Sequence, residues 1–282
     1  MKPYLIDTHC HLHFPTYDAD REAVLARMNE KNIWAITIGT ATENAKKGIA
    51  LAEANDGIWA TVGLHPSHTT TEHVDEDEGK VDEHDVTVEG LVSLARSSKK
   101  VVAIGEAGLD FYRLPVDDRQ GAIEKQEKVF RTHLLAAQEL DLPVVIHCRD
   151  ALTRLAEILQ ESRDTGYALR GVVHSFTGTW EEAKPLIDLG MHIAVNGIAT
   201  FPLRKGQDPA TAIDRTIENI PLDRLLVETD APWLAPTAYR GKRNEPAYVE
   251  EVAKHVAAVR GSTVEEIARQ TTENAMALFR LQ

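Results

Sequence analysis

Cysteine is scarce, with only Cys10 and Cys148 in 282 residues. A small disulfide scaffold carries more cysteines in a shorter chain, so that class is excluded, and both thiols are expected to be reduced and buried. No stretch of about 18 uncharged apolar residues exists, which argues against a membrane-spanning helix. Met1-Lys2-Pro3 leads into a short apolar run ending at Ile6, without a long apolar core or a small-residue cleavage site. It does not read as a signal peptide, and with reduced thiols the expected location is the cytoplasm. An excess of positive charge is also missing, the formal net charge being −13. This speaks against a passive nucleic-acid coat protein. An enzyme acting on nucleic acid stays open, because bound cations can supply a positive field locally. Nor is there a fixed short repeat or a Pro/Gly/Ser linker, so one domain over residues 1–282 is expected. Hydrophobic content of 43% and charged content of 27% describe a globular chain able to bury a large core.

Short runs rich in Val and Ile alternate with helical patterns. The runs are Tyr4 to His9, Ala35 to Gly39, Trp59 to Leu64, Val101 to Glu106, Pro143 to His147, Gly171 to His174, His192 to Asn196 and Leu225 to Asp230. Near-continuous apolarity is the mark of parallel strands buried on both faces. After Asp150, Leu152, Leu155, Ala156 and Leu159 follow helical spacing, as do Val249, Val252, Ala253 and Val256. Ser262 or Thr263 with Glu265 or Glu266 forms a capping-box signature for a last helix ending near Leu278. Eight β-then-α units predict an α/β fold, a (β/α)8 TIM barrel. A doubly wound open sheet is the alternative, since periodicity does not show closure. The acidic tract from Glu72 to Glu89 is expected to be a solvated loop entering the next helix; metal capture by it would need a defined turn.

Ligand-type side chains fall at the C-terminal ends of these runs, the face on which barrels build active sites. His9 and His11, two apart, can aim at one point. Glu106, His147, His174 and Asp230 close four further runs. Each alone could be a satisfied core polar group, but six unpaired ligands on one rim would cost several kcal/mol in desolvation. Two divalent ions sharing a carboxylate would relieve that cost, with Glu106, central in strand order, as the bridge. Mixed nitrogen and oxygen ligation without thiolate suits Zn, Mn, Fe or Co and does not exclude Mg. Cys10 alternates away from the histidine side. His65, in Gly63-Leu64-His65-Pro66, is expected to contact substrate or transfer a proton. His13, His68, His73, His84, His133, His192 and His255 are expected to be ordinary surface or helix residues.

These residues sit in blocks that together resemble the TatD family of metal-dependent deoxyribonucleases, within the wider amidohydrolase-like barrels. The blocks are Asp7-Thr8-His9-Cys10-His11-Leu12, Gly63 to Pro66, Gly105 to Tyr112, His147 to Ala151, His174 to Gly178, Glu228 to Leu234, and Arg240 to Pro246. They keep the family's order and cover nearly the whole chain. The resemblance implies a distorted TIM barrel, the same six metal ligands, two divalent ions per chain (Zn, Mn or Mg), and metal-dependent hydrolysis of DNA, often 3′→5′ exonucleolytic. Family membership alone does not fix a substrate.

On this reading a metal-activated water attacks a phosphodiester of DNA, single-stranded DNA included, with Asp230 as general base and Glu106 as the shared ligand. His65 or Arg149 would hold the phosphate; a salt bridge from Arg149 to Asp150 or Asp110 is the alternative. Arg240, Lys242 and Arg243 form a basic loop expected to contact the phosphate backbone, or else to anchor on surface carboxylates. Trp233 and Phe111-Tyr112 could stack unpaired bases or pack beneath the rim. The alternative enzyme acts on an amide, lactone or other small ester; such barrels often bridge their metals with a carboxylated lysine where this chain has Glu106. A catalytically dead binding module would not need a full ligand set. Nothing in the sequence calls for an obligate protein partner.

Overall fold

The computed structural model describes residues 2–70, 86–167, 169–203, 206 and 212–282. Eight parallel strands, β1 (Leu5–Cys10), β2 (Ile33–Thr37), β3 (Ile58–Val62), β4 (Val101–Asp110), β5 (Val144–Arg149), β6 (Gly171–Val173), β7 (Met191–Val195) and β8 (Leu225–Val227), lie side by side in chain order. Among the described residues each is followed by at least one helix. These are α1 (Arg21–Glu30), α2 (Thr42–Ala54), the single turn α3 (Ser67–Thr70), α4 (Val88–Arg96), α5 (Arg119–Leu140), α6 (Leu152–Asp164), α7 (Trp180–Asp188), α8 (Ile213–Asn219), α9 (Val249–Arg260) and α10 (Val264–Phe279).

The sheet curls until its two edges meet, which rules out the open-sheet alternative. Cys10 bridges Ala231 in parallel. His11 N donates to Ala231 O at 2.7 Å, Asp230 N to His9 O at 2.8 Å, and Thr8 Oγ1 to Val227 O at 3.1 Å. The buried Asp7 carboxylate ties the same seam by accepting from the Thr229 backbone N–H and hydroxyl. The fold is therefore a nearly closed α/β barrel of the TIM type.

Two apolar layers follow. One lies between strands and helices, with Leu5, Ile33, Ile104, Ile146 and Val173 against Leu155, Ile158, Val252 and Ile267. The other fills the barrel with Ile6, Ile36, Val102, Val145, Val172, Ala194 and Leu226, closed below by Ala275, Leu278 and Phe279 of α10. Thr263 caps α10 by accepting from Glu266 N, as its sequence signature predicts.

Strand limits differ from the apolar runs in an instructive way. β4 continues four residues past Glu106, to Asp110, whereas β8 stops at Val227, three short of Asp230. Glu228 N still donates to Val195 O of β7 at 3.1 Å, and beyond it the chain turns to β1, where Asp230 takes a left-handed φ of 60°. Bulges interrupt β1 and β4. Asp7 and Cys10 pair with Ala35 and Thr37, and Ile104 and Ala107 with Val144 and Ile146, so each strand carries one extra residue. Gly105 and Gly108 allow β4 to press on β5 there. A Cβ on Gly105 would lie 2.3 Å from Val145 O, and one on Gly108 1.9 Å from His147 O, and both have positive φ.

Most of the acidic tract, residues 71–85, lies outside the described residues, as do His73 and His84. Of the other histidines expected to be surface or helix residues, His68, His133 and His255 lie in helices, while His13, in a buried loop, and His192, in β7, are a correction. His13, His68, His133 and His192 are all buried, and His255 is partly buried against Asp214 Oδ1 at 2.8 Å. His133 accepts from Leu64 N at 3.0 Å while its other ring nitrogen meets Val129 O, so it anchors the turn that carries His65. Cys10 is buried with its Sγ on Ile36 O, but Cys148 is only half-buried.

Candidate metal centre

Irregular pairing in β1 and β4 decides what faces the barrel mouth. By plain alternation from the inward Ile6, His9 would point outward; the extra residue in β1 turns it in and sends Cys10 out. In β4 two register shifts, one against β3 between Val101 and Ala103 and one against β5 between Ile104 and Ala107, accompany the inward Glu106, whose N–H donates to Gly39 O at 3.0 Å.

Glu106 stands at the centre. Its Oε2 lies 3.3 Å from His9 Nε2, and its Oε1 lies 2.8 Å from His174 Nε2, 3.1 Å from His147 Nδ1 and 3.4 Å from His65 Nε2. Asp230 Oδ1 faces His9 Nε2 at 3.7 Å and His11 Nε2 at 3.6 Å. The rings of His9 and His174 stack with centroids 3.8 Å apart. Potential ligand atoms converge in overlapping groups. His9 and His11 gather with Glu106, His65 and His147 gather with Glu106 again, and His9 and His174 gather with Glu228. All six ligands expected from the sequence are thus brought to one place, with His65 beside them.

Burial decides the electrostatics. It disfavours the Glu106 carboxylate, yet His174, His65 and His9 around it hold its pKa well below the ordinary range. Burial likewise opposes the Asp230 carboxylate, but His11, His9 and His174 keep it ionised. Burial and the neighbouring His174 lower His9 and keep it neutral. His174 is raised despite burial because it faces Glu106 and Glu228. The fully buried His9 hydrogen-bonds through neither ring nitrogen to any described residue, and His174 Nδ1 and His147 Nε2 are also without such a bond. A buried polar atom left unsatisfied costs about 1–3 kcal/mol. Imidazoles gathered around ionised carboxylates, with both ring nitrogens of the buried His9 unsatisfied among the described residues, are a donor set that fits divalent metal ions.

Two carboxylates behind the cluster were not assigned from sequence. Asp110 Oδ2 lies 3.4 Å from His147 Nε2, and Glu228 Oε1 lies 3.6 Å from His174 Nδ1 while accepting from Ser175 N at 2.6 Å. Burial works against Asp110, but His147 brings its pKa to about 2. Both follow the two-residue alternation of strand ends, Glu228 two before Asp230 and Asp110 four after Glu106; spacing alone does not show which ring each one backs.

The cluster floors a cavity of about 980 Å³. Arg149 lines it with no carboxylate partner among the described residues; its guanidinium lies 3.7 Å from the Tyr112 ring centroid, so neither Asp150 nor Asp110 pairs with it. Arg240 lies 4.5 Å from the ring centroid of Phe201, another wall residue. Arg243 is turned away. It donates to Thr16 O and both oxygens of Asp20 and covers the Tyr17 ring, which anchors the loop to a surface carboxylate. Trp233 lines the cavity edge-on to His11, Phe111 packs on the core, and Tyr112 is exposed.

A parallel barrel with a histidine–carboxylate cluster at the C-terminal mouth is the build of a metal-dependent hydrolase. The TatD related DNase family matches residues 6–280, and the chain belongs to that family. It is 37% identical to the uncharacterized metal-dependent hydrolase YabD of Bacillus subtilis, over 98% of this chain and 99% of that one. It is 35% identical to the 3′-5′ ssDNA/RNA exonuclease TatD of Pantoea ananatis, over 94% and 95% of the two chains. The crystal structure of the TatD homolog YjjV of Escherichia coli superposes with a TM-score of 0.82 at 33% identity, over 100% of both chains. No helix among the described residues is long and apolar enough to cross a membrane.

Proposed function

We propose that this protein hydrolyses phosphodiester bonds of DNA, as a 3′→5′ exonuclease working in the cytoplasm, with up to two divalent ions (Zn, Mn or Mg). His9, His11, Glu106 and Asp230 would hold one ion, and Glu106, His147 and His174 the other. The observation that carries this reading is that both oxygens of one buried carboxylate, Glu106, face different histidines. The name of the Pantoea relative supports nucleic acid as the substrate.

When bound, such ions acidify water and offset charge on phosphate oxygens. The remaining work falls to the chain. Asp230, ionised and one-sixth or less exposed, accepts the proton of the attacking water at a carboxylate oxygen. Ser67 N donates to His65 Nδ1 at 3.2 Å; with Nδ1 as acceptor the proton sits on Nε2, at the cavity floor 3.4 Å from Glu106 Oε1. There it can donate to a phosphate oxygen. Arg149, without a carboxylate partner among the described residues, supplies positive charge at the wall. Asp110 and Glu228 position His147 and His174.

The test is hydrolysis by protein stripped and reloaded with Zn, Mn or Mg. 5′-Labelled single- and double-stranded DNA is offered beside a panel of amides and lactones. A ladder shortening from the 3′ end is expected. Turnover of an amide or lactone with DNA left intact would overturn the reading.

A further inference from the structure

Arginine on this chain is usually neutralised. Arg27 pairs with Glu245, Arg131 with Glu161, Arg154 with Glu127, Arg170 with Asp141 and Arg243 with Asp20. With 44 acidic residues against 31 basic ones, a carboxylate is rarely far away. Arg119, Arg163 and Arg260 donate to backbone carbonyls instead, and among the described residues Arg149 and Arg240 do neither. Neither has a carboxylate partner among the described residues, and each lies over an aromatic ring at the cavity mouth. Tyr112 and Arg149 follow β4 and end β5; Phe201 and Arg240 follow β7 and β8, three strands further round the barrel. Tyr112 is 62% exposed, far above the norm for a large ring, and is held in place because Asp110 Oδ1 accepts from its N–H at 3.1 Å.

An exposed ring with a flat, un-neutralised cation on it offers a planar surface and charge at one spot. A nucleobase supplies the matching plane and its phosphate the matching charge. Resting on the reading of this cavity as a phosphodiester-hydrolysing site, we infer that Tyr112–Arg149 and Phe201–Arg240 are two stacking subsites. They would grip unpaired bases of a nucleic-acid strand on two sides of the metal-ligating cluster. A ring face reads no base edge, so the grip is tolerant of sequence. In a duplex the base faces are already stacked on their neighbours, so the strand must arrive unpaired.

The probe is a short phosphorothioate-linked oligothymidylate, slow to be cleaved, carrying one 2-aminopurine. Binding to the metal-loaded protein should quench its fluorescence. Tyr112→Ala and Phe201→Ala should each weaken Kd by about 5- to 150-fold, the range seen when a base–aromatic stack is truncated. Tyr112→Phe and Phe201→Tyr keep a ring and should keep the affinity, which separates stacking from disruption of the fold. Arg149→Ala and Arg240→Ala should each reduce the slope of log K against log salt by about 0.7. The inference is overturned if the strand binds without quenching, or if both alanine variants bind within twofold of the unaltered protein. Hydrolysis of bis(4-nitrophenyl) phosphate by the unaltered protein tests the underlying reading separately. Quenching without ester hydrolysis refutes the phosphodiesterase and keeps the subsites; ester hydrolysis without quenching does the reverse.

Discussion

Glu106→Ala separates a shared ligand from six independent ones. In the proposed centre the protein contributes two negative charges, Glu106 and Asp230, against up to four positive charges of two ions. Removing Glu106 takes one of the two ligand charges out of a buried site, with Asp110 and Glu228 standing only behind His147 and His174. Glu106 is 3% exposed, so water cannot readily take its place. A contact to a charged group contributes about 1.5–3 kcal/mol. One oxygen faces His9 and the other faces His174 and His147, so the loss is felt by both ions, about 3–6 kcal/mol together. That is about 10²- to 10⁴-fold in the product of the two binding constants. His11→Ala removes one ligand of one ion and should cost about half as much in free energy. Competition against a chromogenic chelator, with elemental analysis of the protein, reads both constants, and Glu106→Gln checks that charge rather than volume is responsible. The reasoning fails if Glu106→Ala still binds two ions with constants within threefold of the unaltered protein.

Further outcomes follow from the same geometry. Asp230→Asn should retain most of the metal yet lose about 10²- to 10⁴-fold in kcat, as removal of a general base does; metal and rate lost in parallel would make Asp230 a ligand only. Glu228→Gln should weaken metal binding by about 10- to 100-fold through His174, and unchanged chelator competition would refute that role. Burial pushes His133 down to about 4. Its folded pKa lies below the unfolded value of about 6.5, so the unfolded chain takes up the proton first and stability falls as pH drops from 6.5 to 4, by at most about 3 kcal/mol. Denaturant melts across that range should slope accordingly, and His133→Gln should flatten the slope. Arg243→Ala should lower stability by about 0.5–1 kcal/mol, since the pair with the partly exposed Asp20 is screened by water; a weakened salt dependence of DNA binding with stability intact would instead place Arg243 on the substrate.

Local pattern was enough to identify the class of fold. Apolar runs separated by helical spacing, with ligand-type residues at their ends, follow from short-range rules of burial and periodicity. The same rules were blind to strand length where pairing depends on a distant neighbour. β8 ends at Val227 because its continuation crosses to β1, and β4 runs on to Asp110 because two glycines let it lie against His147. Helical spacing places His133 on a helix but does not show that it is buried and accepts from Leu64 N, a residue 69 positions away.

The chain alone determined which residue types stand at the rim, since His9, His11, Glu106, His147, His174 and Asp230 each close or follow an apolar run. Only the closed barrel decided what they face. One extra residue in β1 turns His9 inward, the irregular pairing of β4 with both neighbours carries Glu106 to it, and the seam with β8 brings Asp230 back to both histidines. Partnership was likewise tertiary: Arg243 goes to Asp20, while Arg149 and Arg240 keep their charge and lie on rings. A charge is neutralised by whatever the fold places within about 4 Å of it, and residues that far apart in sequence meet only when the barrel closes.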